Sequence, residues 1–142
     1  MYINLHQYLG ITAILPPILL VLYFHKRDVY PEPPKILWTS FFYGMGAAIL
    51  IFVVNDFTKI FIPDVNSFVA RGAYEAFFSA AIPEEFCKLL IFLGYCYQRP
   101  EFDEPMDGIV YGAVVSLGFA CLENITYVSF GGLDVAFARA WT

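Results

Sequence analysis

Charge is what this sequence has least of. Asp, Glu, Lys and Arg make up 15% of its 142 residues against 59% hydrophobic residues, a balance too apolar for a small soluble domain. Residues 1 to 25 contain none of the four charged types, and neither does the 20-residue run from Ile36 to Asn55, which as a helix spans about 30 Å of hydrocarbon. Basic residues are scarce too, and a net charge of −5 leaves no patch for nucleic acid. The three cysteines, Cys87, Cys96 and Cys121, all fall within apolar stretches, and an odd count in lipid argues against a disulfide framework. No basic residue precedes the first apolar run and no small-x-small site closes it, so it is expected to stay rather than be removed as a signal peptide.

What is present is long apolar sequence. Spans are expected at about residues 7–25, 36–55, 72–98 and 108–131, giving an all-α, polytopic transmembrane helical bundle with about four spans in a single membrane domain. Lys26, Arg27 and Lys35 lie in the loop after the first span, whereas the N-terminal tail has no basic residue. That asymmetry puts this loop in the cytoplasm and the N-terminus outside, in a multi-pass protein of the cell membrane. Arg99 agrees, while Lys59 and Arg71 pull the other way.

The connectors have their own grammar. In YPEPP each residue before a proline is pushed out of the helical region, so the first loop is a stiff, extended connector. Pro16 and Pro17 should kink span one. From Asp56 to Ala70 the residues Phe57, Ile60, Phe61, Val65, Phe68 and Val69 roughly follow helical spacing, interrupted by Pro63, which suggests an interfacial segment or a substrate gate. In QRPEFDEPMDG, Asp107 can cap span four or Pro105 can take its first turn. Asp103, Glu104 and Asp107 lack regular cation-ligand spacing and read as a solvated turn.

Against this background the stretch IPEEFCKLLIF stands out. An ionised side chain near the bilayer centre costs on the order of 3 kcal/mol, so Glu84, Glu85 and Lys88 demand a reason. Lys88 is four residues from Glu84 and three from Glu85, and it can reach either carboxylate but not neutralise both. The other glutamate is then protonated, bound to a cation or held in water, each a condition for acid–base chemistry. Pro83 removes an N–H, freeing the carbonyl of Ser79 and bending the helix just before the acids. On span four, Gly112, Ser116, Phe119, Ala120, Glu123 and Tyr127 recur at three or four residues as a mostly small or polar face suited to close helix approach. Antiparallel packing of spans three and four would bring Glu84, Glu85 and Glu123 to similar depth.

These residues carry a resemblance. EEFCK at Glu84 to Lys88 resembles the EExxK motif, and GFACLEN at Gly118 to Asn124 the FxxxEN motif, of the PrsW family of intramembrane proteases, distant relatives of the CAAX prenyl proteases. MDGIVYGA and RDVYPEPP look like that family as well. The resemblance implies hydrolysis of peptide bonds in membrane-anchored proteins, with Glu84 or Glu85 activating water and the other paired with Lys88. It implies that Glu123 binds a metal or polarises the same water and that Asn124 donates to the oxyanion. Glu84 and Glu123 would be the metal ligands, a divalent ion such as zinc is the implied cofactor, and a membrane-anchored anti-sigma factor is the kind of substrate it suggests.

The departure is histidine. The family carries a further histidine motif on a later span, whereas this sequence has only His6 and His25, both near expected membrane boundaries, so an N-terminal portion or a shortened member is expected. Cys87 is a candidate ligand three residues from Glu84, but buried membrane cysteines are usually inert fillers. Glu75 is expected near the outer boundary, reaching for water. Two other classes compete with the protease: a non-catalytic membrane subunit that uses the buried Glu and Lys network for assembly with a partner, and a proton or cation path lined by the acids.

Overall fold

The computed structural model describes residues 5–27, 30–58 and 67–140. Among them there is helix and no strand, as the charge-free runs require: in lipid a backbone must satisfy its own hydrogen bonds. Helix α1 covers Leu5–Arg27 with Pro16 and Pro17 inside it, and its last turn carries His25, Lys26 and Arg27. Helix α2 covers Pro34–Thr58, with Pro34 at its first position, where the missing N–H costs nothing.

The third rod is segmented. It runs as α3 (Phe68–Tyr74), a π-helical stretch (Glu75–Ala81), α4 (Ile82–Ile91) and a second π-helical stretch (Phe92–Cys96). Ser67 caps its start, accepting from the Ala70 N–H at 3.4 Å. Just before the acids, ahead of Pro83, the ladder widens, and the Ile82 N–H reaches back five residues to the Phe77 carbonyl. The π-helix accommodates the missing proline N–H without ending the rod. Of the segment from Asp56 to Ala70, proposed above as interfacial, residues 59–66 lie outside the described residues, while its start continues α2 and its end opens α3.

Helix α5 spans Pro105–Ala140. Pro105 takes its first turn and Asp107, buried at 2% exposure, reaches back to accept from the backbone N–H groups of Glu104 at 2.7 Å and Asp103 at 2.9 Å. Both expected start signals are therefore used together, the carboxylate satisfying donors that the helix leaves orphaned.

α5 is the centre of the bundle, packing along both α1 and α2, while α4 rests chiefly on α2 and touches α5 along one edge. Val21, Leu37, Phe41, Val110, Tyr111, Val114, Val115 and Cys121 form the core among these helices. Where α2 crosses α5 the backbones nearly touch: a Cβ on Gly44 would collide with the Val115 carbonyl, and one on Gly118 with the Phe41 carbonyl. Close approach of that kind is how helices associate where lipid removes the hydrophobic incentive. The expected small-residue face began at Gly112, but a Cβ there would meet nothing within 4 Å. The tight contact belongs to Gly118 and to α2 rather than to the rod that bears the glutamates.

The exterior is apolar. Ile49, Leu50 and Val53 of α2 and Phe86, Leu89, Leu90 and Leu93 of the third rod are all exposed, a belt that only lipid or further protein can cover. Among the described residues, Pro34–Val54 and Pro105–Phe130 are each long and apolar enough to cross a membrane.

Candidate functional site

α4 has an inward edge and an outward one, and its period decides which acid lies where. Pro83, Glu84, Cys87, Lys88 and Ile91 are half-buried, whereas Glu85, Phe86, Leu89 and Leu90 are exposed. At 3.6 residues per turn, Glu84 and Glu85 flank Lys88 by about 40° and about 60° on opposite sides. Sequence spacing left open which glutamate the lysine takes. The structure pairs Lys88 with Glu85, its Nζ donating to Oε1 at 2.7 Å; the lysine side chain is 16% exposed and the glutamate 73%.

The same ammonium lies over the ring of Phe119 on α5, 4.3 Å from its centroid. Phe119 is immobilised from the other side, 2% exposed in a cluster with Ala47, Ala48 and Ile51 of α2. Cys87 and Ile91 pack against that cluster, so Cys87 serves as apolar filling. An open cavity of about 220 Å³ separates the two elements, lined by Glu85, Lys88, Leu89 and Phe92 on one side and Gly108, Gly112, Val115 and Ser116 on the other. It takes in two of the expected site residues; Glu84, Glu123 and Asn124 do not line it. Glu123 and Asn124 are half-buried on α5, one turn beyond Phe119.

The other expected residues lie apart. Glu75 accepts from Arg71 Nε at 3.1 Å in an exposed ion pair, which keeps its charge in polar company. His25 sits at the end of α1, its Nδ1 buried without a hydrogen-bond partner, and the hydroxyl of Ser79 in the first π-helical stretch is in the same condition. Among the described residues no group of three or more His, Cys, Asp or Glu could hold a metal ion. Glu84 and Glu123 alone fall one ligand short of the usual catalytic zinc set, and carboxylates suit a harder ion, so the residues present do not by themselves fit zinc.

One buried carboxylate escaped the sequence reading. Glu32, in the extended loop before α2, is 5% exposed and accepts from the Tyr111 hydroxyl at 2.5 Å. Nearby, Phe102 packs its ring against Phe92, Tyr97 and Tyr111, and Arg99 covers the ring of Tyr95 at 3.9 Å. The loops of this end are thus fastened to α5. The only available signal was the setting of Glu32 between prolines, which hold a loop rigid enough to keep a carboxylate inside.

Comparison with known proteins agrees with the two motifs. The family model for "PrsW family intramembrane metalloprotease" matches residues 32–140. Proteins named Protease PrsW are similar to the chain: that of Geobacillus kaustophilus is 41% identical over 130 residues, covering 91% of this chain and 56% of the relative. That of Bacillus subtilis is 41% identical over 131 residues, 91% of this chain and 57% of the relative. That of Oceanobacillus iheyensis is 35% identical over 136 residues, 91% of this chain and 58% of the relative. The chain therefore spans little more than half the length of these relatives. No solved structure matches it. With the match running from the buried Glu32 through both glutamate motifs to the end of α5, the chain belongs to the PrsW family of intramembrane metalloproteases.

Proposed function

We propose that this chain carries the carboxylates with which an intramembrane protease activates water to cleave membrane-anchored protein substrates, in a four-span arrangement with the N-terminus outside the cell. The observation that carries the reading is the division of labour on α4: Lys88 is held by the exposed Glu85 at the mouth of the cavity, and Glu84 falls on the half-buried edge of the helix. Glu84 is then the base, taking a proton from water as the hydroxide forms its bond to the scissile carbonyl carbon. Glu123, one turn beyond Phe119, faces the same water, and the Asn124 amide donates to the oxyanion of the tetrahedral intermediate. Glu84 returns its proton to the leaving amine as the carbon–nitrogen bond breaks. A membrane-anchored anti-sigma factor fits the substrate class.

A divalent metal, as the family description implies, would add Lewis acidity to this site, with Glu84 and Glu123 among its ligands. The test is cleavage of a membrane-anchored reporter by the full-length protein in liposomes. Glu84→Gln and Glu123→Gln should each abolish cleavage while membrane insertion is unchanged. Turnover at the parent rate in both variants defeats the proposal.

A further inference from the structure

Two glutamates on different helices can share one water only if something fixes the helices along their axes, and nothing in the EExxK or FxxxEN spacing does so. We propose that the contact between Lys88 and Phe119 is the pin that levels Glu84 with Glu123, which makes Phe119 a positioning residue. This rests on the protease reading for its consequence in catalysis, but not for its geometry.

The argument is one of register. α4 and α5 run antiparallel: Phe92 meets Phe102 with ring centroids 5.9 Å apart just before α5 begins, and further from that end Lys88 Nζ meets Phe119 at 4.3 Å. The cavity between the elements lies along the same edge. From Lys88, Glu84 lies four residues toward the far end of the bundle. From Phe119, Glu123 also lies four residues toward that end, because the chain direction is reversed. Four residues rise about 6 Å on either helix, so the two acids keep a fixed axial offset from each other for as long as Lys88 keeps its seat on Phe119. Four residues also return to nearly the same face, so a lysine aimed at Phe119 carries Glu84 round to the side on which Glu123 stands.

The pin is well made for this purpose. The ring cannot yield, since Ala47, Ala48 and Ile51 bury it from behind and a Cβ on Gly44 would lie 3.1 Å from the Phe119 nitrogen. Lys88 cannot swing away without giving up Glu85. α4 makes its main contact with α2 and little with α5; beside the packing of Cys87 and Ile91 on the Phe119 cluster, this ammonium-on-ring contact is a polar tie between α4 and the helix bearing Glu123.

The test places a cysteine at each acid, Glu84→Cys with Glu123→Cys, in full-length protein in liposomes with Cys87, Cys96 and Cys121 replaced by alanine. A short bifunctional thiol reagent should join the pair when Phe119 is present. Phe119→Leu, which keeps the bulk and loses the π face, should lower the yield at least fivefold; Phe119→Trp should restore it; Lys88→Met should lower it as much as Phe119→Leu, with no further loss in the double variant. In the protein with its glutamates intact, Phe119→Leu should reduce kcat on the order of 100-fold with KM unchanged, since an ångström of misplacement suffices for that. Absence of cross-linking in the parent pair, or equal yield with leucine, overturns the inference. Should cross-linking behave as expected while Glu84→Gln cleaves at the parent rate, the pin stands and the protease reading fails.

Discussion

Tyr111 of α5 donates its phenol proton to Glu32, a carboxylate buried in the connector between α1 and α2, 79 residues away in the chain. The bond fastens a loop to the central helix at the end of the bundle where Asp107 closes the start of α5. A carboxylate at 5% exposure is costly unless it is well supplied with donors, so each one counts. Tyr111→Phe removes one and should destabilise the protein by about 1–3 kcal/mol. Thermal unfolding in detergent micelles checks this, and a melting temperature equal to the parent's would mean that the bond contributes nothing.

The crossing of α2 and α5 should be the least tolerant place in the bundle. Gly44 lies against the Val115 carbonyl and Gly118 against the Phe41 carbonyl, each helix offering the other its bare backbone. Gly118→Leu must force the helices apart, opening the core around Phe41, Val114 and Val115, at a cost of at least about 1–3 kcal/mol. Gly112→Leu, by contrast, adds a side chain where a Cβ meets nothing within 4 Å. Comparing the yields of folded protein from the two variants decides the matter, with Gly118→Leu low and Gly112→Leu near the parent.

That contrast marks where sequence reasoning stops. The charge-free runs of α1 and α2 announce helices, because an uncharged apolar run in lipid has no other way to satisfy its backbone. The start of α5 was legible as well, since Pro105 and Asp107 act through neighbours in the chain. Which glycine meets which helix was not, because Gly112 and Gly118 present the same lack of a side chain and only the crossing point separates them. The pairing of Lys88 was open for a similar reason: three and four residues are both good spacings, and chain spacing alone does not choose between them. Glu32 was read as part of a stiff connector, since burial of a loop carboxylate depends on a tyrosine far along the chain.

Asp107 gives a local prediction. Its carboxylate accepts from two backbone N–H groups at the start of α5, while its own chain lies in the first turn, where the helix dipole also favours a negative charge. Asp107→Ala strands both donors in a half-buried turn and should cost about 1–2 kcal/mol; Asp107→Asn, which retains an acceptor oxygen, should cost less. Amide hydrogen exchange provides the measurement, with faster exchange at Asp103 and Glu104 in the alanine variant and intermediate exchange in the asparagine variant.

The two adjacent glutamates should respond unequally to the same chemical change. Glu84→Gln removes the proposed base and should reduce kcat by about 10²- to 10⁴-fold, the usual contribution of such a group. In Glu85→Gln the new amide still offers an oxygen to Lys88 at the outward edge, so Lys88 keeps a partner there and its seat on Phe119. The loss should be confined to the strength of an exposed ion pair, since Glu85 is 73% exposed, which amounts to less than about 1 kcal/mol and no more than about fivefold in rate. Measuring kcat for the two variants on one membrane-anchored reporter separates the roles, and equal losses would return Glu85 to the chemistry and dissolve the distinction drawn from the two edges of α4.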